Sequence, residues 1–527
     1  MTEHNPNGYP SPQATGETAF PAAPGQIETA PKKKSGAGLK AGIAGLAVLA
    51  LGAGGLAIAD PMNMFGGDDA ASSAMIPGDA VGYAEVNFDP DMSQKAEMVR
   101  FAMKFPSLKE KVSLTEGGDL KQELWTSMSK DSSCLKDVNY DADIKPWLGD
   151  HLAVAVRSGA KNPIMVIEAK DEAKARAGFE KLNKCETDEK NKLSGLAFSD
   201  GYLVAAKTQA DADKAVADAK SDPLEKKAEF TEDLKQLGDT GMMTMWGNKD
   251  GLVQLMESSD VAEQINNSTP GSTGAPDPMK QIQQADFRSG AATLRFTGGN
   301  PEFRTVSKAS KDLPKSSAST KVGDLPGETT VALGIADGAT LVDQNWDMIK
   351  KAIEQEGATI ADVEQKTQLK LPDDLKTLLG KDLRVSVGKL GDPEKIESPA
   401  DVPVAVAMDT EKAKVEEILT RTGLGSNGIQ VSGSDTAPVL AMSTDWATKV
   451  SQPSGKLADD AAYKTAVANA DKSQSVIYVN IDAFKDLITK DMNDKDKQNV
   501  EPLQAVGISS NNEDNNYSGM SLRVTAK

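Results

Sequence analysis

Trp147-Leu148-Gly149-Asp150-His151-Leu152-Ala153-Val154-Ala155-Val156 is matched 231 residues later by Leu378-Leu379-Gly380-Lys381-Asp382-Leu383-Arg384-Val385-Ser386-Val387. Each copy carries a short alternating, β-branched run of the kind that forms a strand. Three further matches keep the same order. Upstream, Ile76-Pro77-Gly78 with Val81-Gly82-Tyr83-Ala84 resembles Leu325-Pro326-Gly327 with Thr330-Val331-Ala332-Leu333. Downstream, Pro163-Ile164-Met165-Val166-Ile167 and Asp171-Glu172-Ala173-Lys174 match Pro403-Val404-Ala405-Val406-Ala407 and Glu411-Lys412-Ala413-Lys414 at an offset of 240, and Met242 to Trp246 answers Val476 to Asn480 at 234. Offsets that drift only by loop lengths predict two tandem homologous domains, residues 76–307 and 325–527, with a linker over 308–324.

Within each copy the expected order is strand, helical stretch, strand, strand, helix, strand, helical stretch, strand, final strand. Strands that follow one another without a helix favour antiparallel pairing, so the fold class is α+β, a largely antiparallel sheet with packed helices in each domain. The helix after each Pro-initiated strand is the best marked. Val415, Ile418 and Leu419 make one apolar stripe, Asp409 or Thr410 stands where a cap is needed, and Ala175 and Phe179 hold the same face in the first copy. Final strands are expected at 291–296 and 519–524, and the polar stretch 266–278 is a loop peculiar to the first copy.

The N-terminal part reads differently. Residues 1–38 are rich in Pro, Gly, Thr, Asn and Ala and predict a disordered cytoplasmic tail. Ala41 to Ala59 carries no charge, follows Lys32, Lys33, Lys34 and Lys40, and precedes Asp60, Asp68, Asp69 and Asp79. That pattern predicts a transmembrane helix over 39–59, in contact with the lipid bilayer through 41–59, with its lysines in the cytoplasm and its C-terminal side outside. Seven strongly apolar residues favour insertion by about 2 to 4 kcal/mol. The alternative is a secreted chain cleaved near Ala59, where Ala57-Ile58-Ala59 has a small-x-small form. Residues 60–75 are expected to be a tether.

Formal charge is −19; residues 1–59 carry four Lys against Glu3, Glu17 and Glu28, which leaves −20 beyond the anchor. So acidic a portion repels phosphate backbones, and nucleic acid is not an expected partner. The two cysteines, Cys134 and Cys185, both fall outside the membrane in this topology and are expected to pair. Closing a loop of about 50 residues is worth roughly 4 kcal/mol in the chain-entropy account. Two separate buried thiols is the rival reading.

Chemistry is sparsely marked. The chain has two histidines, His4 in the tail and His151, so histidine-based triads, dyads and zinc sites lack their residues. Asp382, at the start of a strand, is the counterpart of His151, which therefore reads as a surface position at a turn. Ser127-Met128-Ser129-Lys130 has the Ser-x-x-Lys spacing of penicillin-interacting enzymes without their other two elements. Asp137, Asn139, Asp141 and Asp143 alternate like calcium ligands, but Ala142 and Leu148 stand where such loops need Gly and Glu. Met242, Met243 and Met245 read as core on their spacing, with a ligand cavity as the other use. No catalytic, cofactor or metal site is assigned.

The Lys-rich segment with its Ala/Gly-rich anchor, Ile76-Pro77-Gly78-Asp79-Ala80, and Leu457-Ala458-Asp459-Asp460-Ala461-Ala462-Tyr463-Lys464 before the Val476 to Val479 strand are together similar to an uncharacterised actinobacterial and cyanobacterial family. Its members are single-pass membrane proteins built around an extracytoplasmic domain of unknown function. The resemblance covers residues 76–527 and implies no activity. The expected role is a non-enzymatic binding or scaffolding module of the cell envelope whose partner is an unknown envelope protein or ligand. The alternatives are a carrier of an apolar ligand such as a lipid and a carboxylate-dependent hydrolase.

Overall fold

Sixteen strands form one continuous sheet in the computed structural model, and every pairing among its named strands is antiparallel. The structure describes residues 71–111, 134–186, 192–257, 286–313, 318–355, 357–391, 396–490 and 492–527, with a few isolated positions between them. The expected tail, the apolar run Ala41–Ala59 and the loop 266–278 lie outside the described residues. Among the described residues no helix is long and apolar enough to cross a membrane.

The first half supplies β1 (Ala80–Asn87), β2 (Leu148–Arg157), β3 (Ile164–Ala169), β4 (Gly195–Ser199), β5 (Tyr202–Ala206), β6 (Met243–Asn248), β7 (Ser289–Thr297) and β8 (Asn300–Lys308). The second supplies β9 (Val331–Ala336), β10 (Asp382–Val387), β11 (Val404–Met408), β12 (Gln430–Ser434), β13 (Ala437–Ala441), β14 (Ser475–Asn480), β15 (Leu503–Glu513) and β16 (Tyr517–Ala526). Counted outward from the middle, the order is β8-β7-β6-β1-β2-β3-β5-β4 on one side and β16-β15-β14-β9-β10-β11-β13-β12 on the other. The two lists correspond strand for strand. Each half has two more strands than the sequence pattern marks, because a single expected strand is a hairpin at β4–β5 and β12–β13, and again at β7–β8 and β15–β16.

Register refines the sequence matches. Tyr83 lies opposite Trp246 and Ala155, while Ala332 lies opposite Tyr478 and Ser386, which keeps the offset of 231 at β2 and β10. Ile164 pairs with Ala155 and Ala405 with Ser386, so Ile164 corresponds to Ala405, not to Val404. The offset of 240 is therefore one residue short, and one residue flips a strand's faces. Trp246 likewise answers Tyr478, two residues from the match at 234, which leaves the faces unchanged.

Helices cover both faces. On the first, α3 (Gln209–Ser221) and α4 (Ala228–Leu237) bury Ala212, Ala215 and Phe230 against Ala153, Val166 and Trp246. There, α9 (Thr444–Ser451) and α10 (Ala461–Ala466) bury Trp446 and Tyr463 against Ala407, Val439 and Tyr478. On the opposite face, α1 (Met92–Ala102) sets Met98 against Phe296, and α2 (Glu172–Cys185) sets Ala175 and Phe179 against Met165 and Leu203. In the second half, α7 (Asp373–Leu379) and α8 (Lys412–Thr422) pack Leu378, Val415 and Leu419 on Leu383 and Met408. The cap expected for α8 is absent: Glu411 stands at the cap and its side chain accepts no backbone N–H of the helix, pairing with Lys414 instead, and Asp409 turns to Arg384 and Lys321, each 2.5 Å away. Two further helices, α5 (Lys249–Glu257) and α6 (Gly338–Gln355), follow β6 and β9.

The repeated Leu-Gly is a packing requirement. A Cβ on Gly149 would stand 2.6 Å from the Cβ of Glu168, and one on Gly380 would stand 2.6 Å from the carbonyl of Asp409. Nothing larger than glycine fits where β2 and β10 begin against the ends of β3 and β11.

The halves meet at β8 and β16. Arg304 lies opposite Ser521 there, and the correspondence carried through β7 and β15 makes Ser521 the counterpart of Arg304. The pair thus sits on a local two-fold relation, as in an isologous interface. Buried Glu302 ties the seam: Arg295 and Arg523 place Nε at 2.8 and 3.0 Å from it, and the Ser521 hydroxyl donates to it. Buried Asp233 accepts from Trp246 Nε1 at 2.8 Å and from the Tyr517 hydroxyl at 2.6 Å, one donor from each half.

Candidate functional site

The first face of β1 alternates Tyr83, Glu85 and Asn87 inward, so polar groups point into an apolar layer. An ionised carboxylate buried there needs donors on most of its lone pairs. Glu85 is 2% exposed and has them. The Tyr83 hydroxyl donates to Oε2, the backbone N–H of Ser72 donates to the same oxygen at 2.9 Å, and His151 Nδ1 lies 2.9 Å from Oε1. His151 Nε2 faces the Asn87 amide at 3.3 Å. Glu168 accepts the backbone N–H groups of Asp150 and His151 at 2.8 and 3.1 Å, which fixes the strand that carries the imidazole.

His151 is therefore not the surface turn residue that the sequence suggested. It sits within β2, half-buried opposite Asn87, because its strand begins earlier than the alternation alone implies. Burial opposes its charge, but the hydrogen bond and charge of Glu85, with Glu168 and Asp150 beyond, hold its pKa above the ordinary histidine value. Burial first, then the Glu85 carboxylate, pushes the Tyr83 hydroxyl well above the ordinary tyrosine range, and burial with Glu168 and Glu85 pushes Tyr202 up to about 12. Both phenols stay protonated, and that of Tyr83 serves as a donor to Glu85.

Ser72 belongs to a 3-10 turn, Ala71–Met75, at the end of the expected tether, and Ser72 and Ser73 are both buried. Glu85 thus pins the segment that leads into the fold onto the sheet. The second half solves the same problem with other residues. Gly334 stands at the position of Glu85, where a Cβ would come within 2.4 Å of Thr320 Oγ1. Asp382 stands at the position of His151 and accepts the backbone N–H of Lys321, the counterpart of Ser72, at 3.3 Å. Arg384 Nε lies 2.8 Å from Asp382, and the same guanidinium reaches Asp409. Burial raises the pKa of Asp382, the Arg384 charge and its hydrogen bonds opposing. A carboxylate holds the equivalent backbone amide in both halves; its counter-charge is a titratable imidazole in one and a permanent guanidinium in the other.

The remaining sequence candidates fall elsewhere. Asp143 does not gather a cation with Asp137, Asn139 and Asp141: its carboxylate accepts the Asn139 N–H at 3.0 Å and meets Lys181 at 2.5 Å, while Asn139 Oδ1 accepts from Ala142. Asp374, its counterpart 231 residues on, makes the same pair of contacts, accepting the Lys370 N–H at 2.5 Å and pairing with Arg421 at 2.9 Å. These are ties between the acidic turn and the α2 or α8 helix. Ser127 and Lys130 lie outside the described residues, as does His4. Met242, Met243 and Met245 are buried in apolar clusters. Among the described residues, no group of three His, Cys, Asp or Glu side chains is placed to hold a metal ion.

Cys134 and Cys185 are joined in a disulfide with their Cα atoms 5.4 Å apart, linking the chain before the Leu135–Asp137 turn to the last residue of α2. It staples the same helix that Lys181 ties to Asp143.

A profile of proteins of unknown function, DUF3352, matches residues 37–421, well over half of the chain. The chain belongs to the DUF3352 family. The matched span starts earlier than the resemblance drawn from residues 76–527, at the end of the expected tail just before the expected anchor, and stops in the last turn of α8 in the second half. The DUF3352 match thus runs across the seam, from the whole first half through β11 and into α8. Comparison with curated proteins gave no match, and neither did comparison with solved structures.

Proposed function

We propose that this DUF3352 protein is a single-pass, N-in and C-out membrane protein whose paired α+β halves bind or scaffold components at the outer face of the membrane without catalysis. The disulfide between Cys134 and Cys185 carries the reading, since such bonds persist in oxidising compartments and are rare where thiol reductants are maintained. The uncharged run Ala41–Ala59, lysines on one flank and aspartates on the other, supports the orientation. The matching strand order supports a tandem duplication, in which an ancestral domain paired with its own copy through the strand that became β8 and β16. A continuous sheet with polar clusters tied off by internal donors suits a rigid platform.

The test is to block thiols in living cells with a membrane-permeant alkylating agent, isolate the protein, and map its peptides without reduction. The linked Cys134–Cys185 peptide is expected in essentially all chains. Alkylated, unlinked cysteines would place the folded portion in a reducing compartment and overturn the reading.

A further inference from the structure

Glu302, Asp374 and Asp382 are buried carboxylates that each face a guanidinium, a group that keeps its charge at any pH the fold survives. Buried Glu85 faces the imidazole of His151 instead, whose charge changes near neutrality. What Glu85 holds is the turn Ala71–Met75, through the backbone N–H of Ser72. From Ile76 onward the chain has independent moorings. Ile76 is fully buried and its carbonyl accepts the Leu224 N–H at 2.8 Å, and the Gly78 N–H donates to the Asp222 carbonyl at 2.7 Å. The turn before it is less well seated. The Ser72 hydroxyl is buried yet has no hydrogen-bond partner among the described residues, so the bond to Glu85 carries the polar attachment of Ser72.

The charges around the imidazole are of one sign. β1 presents Glu85, with the Asn87 amide on the other ring nitrogen; β2 presents Asp150 and β3 presents Glu168. Lys121 meets Asp150 at 2.5 Å, and Tyr202 on β5, opposite Glu168, stays protonated. The turn Ala71–Met75, which packs on β2 and β3, brings no ionisable side chain. On α3, which packs on the same turn, Asp218 is taken by Arg157 and Lys214. With His151 charged, Glu85 has a counter-ion and two further donors. With His151 neutral, the same carboxylate is a buried charge without a counter-ion, a state that favours access of water. Of the groups around Glu85, two cannot step aside. Tyr83 is locked in β1, its ring edge-on to Phe230, and His151 is held in β2 by its backbone bond to Glu168. Ser72 belongs to no strand, so its turn is the part that can lift.

We propose that Glu85 and His151 form a proton-controlled latch on the entry to the fold: the turn Ala71–Met75 is docked on the sheet while His151 is charged and lifts, hinged before Ile76, when it is neutral. Lifting adds five residues to the connection with the preceding chain, up to about 17 Å if fully extended. The direction follows from the surroundings of the ring. Burial opposes its charge, but Glu85, then Glu168 and Asp150, outweigh it, so the docked form prevails at and below neutrality and the lifted form gains as pH rises. The second half supplies a built-in control. There Asp382 holds the equivalent amide of Lys321 at 3.3 Å against the permanent charge of Arg384, and no latch operates over the same range. The proposal goes beyond the scaffolding role and holds whichever side of the membrane the fold occupies.

The test is hydrogen exchange of the purified full chain in lipid nanodiscs, read by peptide mass spectrometry and corrected for the intrinsic effect of pH on exchange. Between about pH 6 and about pH 9 the peptide containing Ser72 should lose protection by at least about threefold, while the peptide containing Lys321 and those of β2 and β3 keep theirs. His151→Phe should leave the Ser72 peptide weakly protected at both pH values, and His151→Gln serves if that variant folds poorly. The contrast between the two amides in the parent needs no variant. A smaller loss at Ser72, an equal loss at Lys321, or a pH step that persists without the imidazole would each overturn the proposal. Those outcomes leave the thiol-mapping result unaffected, so the two readings fail separately.

Discussion

Glu85→Ala should be among the most damaging single truncations in the first half. The change leaves three donors facing a cavity: the Tyr83 hydroxyl, the Ser72 amide and His151. Each orphaned buried donor costs about 1 to 3 kcal/mol, and removing one partner of a buried ion pair costs about 3 to 5 kcal/mol in all. Asp382→Ala in the second half should cost less, about 1 to 3 kcal/mol, because Arg384 keeps its ion pair with Asp409 while the Lys321 amide and Arg384 Nε lose Asp382. Urea unfolding of the disulfide-intact protein, followed by tryptophan fluorescence, measures both. The pH dependence supplies an internal check. The pKa of His151 is raised in the folded state, so its pairing with Glu85 stabilises fully below the unfolded value near 6.5 and is lost as pH rises through the folded value. Parental stability should fall as pH rises above about 6.5 and through the raised folded value, and His151→Phe should flatten that fall. Equal costs for Glu85→Ala and Asp382→Ala, or a slope that survives in His151→Phe, would refute the assignment of Glu85 as the anchor of the first segment.

Three other outcomes follow from the geometry. Cys134→Ser should lower stability by about 4 kcal/mol under oxidising conditions and make no difference once the parent is reduced, as read by paired melts with and without reductant. Gly149→Ala should cost about 1 to 3 kcal/mol through overpacking against Glu168, and Gly380→Ala should cost more, since its Cβ meets the Asp409 carbonyl and its φ is +55°, whereas Gly159→Ala, whose Cβ would meet nothing within 4 Å, should cost less than either despite its φ of +67°. At the seam, burial opposes the charge of Glu302, but Ser521, Arg523 and Arg295 outweigh it and bring its pKa down to about 2. Its contribution is therefore present above the unfolded value near 4.5 and lost as pH falls toward about 2. Glu302→Gln should remove that acid-limb dependence in denaturant titrations.

Much of the architecture could be read from residue patterns because apolar residues at period two mark strands irrespective of what they pack on. The pairing of Trp147–Val156 with Leu378–Val387 survived register analysis, and the Leu-Gly within it proved to be a close approach of two strands. The β3 match failed by one residue because Ile164 to Ile167 and Val404 to Ala407 are apolar on both faces, so nothing in the pattern distinguishes a slip. The extra hairpin strands escaped notice for another reason: β12, Gln430 to Ser434, is largely polar and sits at the sheet edge, where no buried face imposes alternation. Glu85 was hidden among 78 acidic residues. One signal was available: Tyr83, Glu85 and Asn87 fall on alternate positions of a strand whose other residues are small or apolar, which marks an inward polar row. The seam left no mark at all, because Glu302, Arg295, Arg523 and Asp233 acquire meaning only when residues more than two hundred positions apart are brought together.

The placement of the folded portion outside the membrane is tested most directly by adding an impermeant protease to intact cells and following two epitopes, one at the N-terminus and one at residue 527. The account predicts rapid loss of the C-terminal epitope while the N-terminal one persists until the cells are lysed. Survival of the C-terminal epitope in intact cells, with its loss only after lysis, would contradict it.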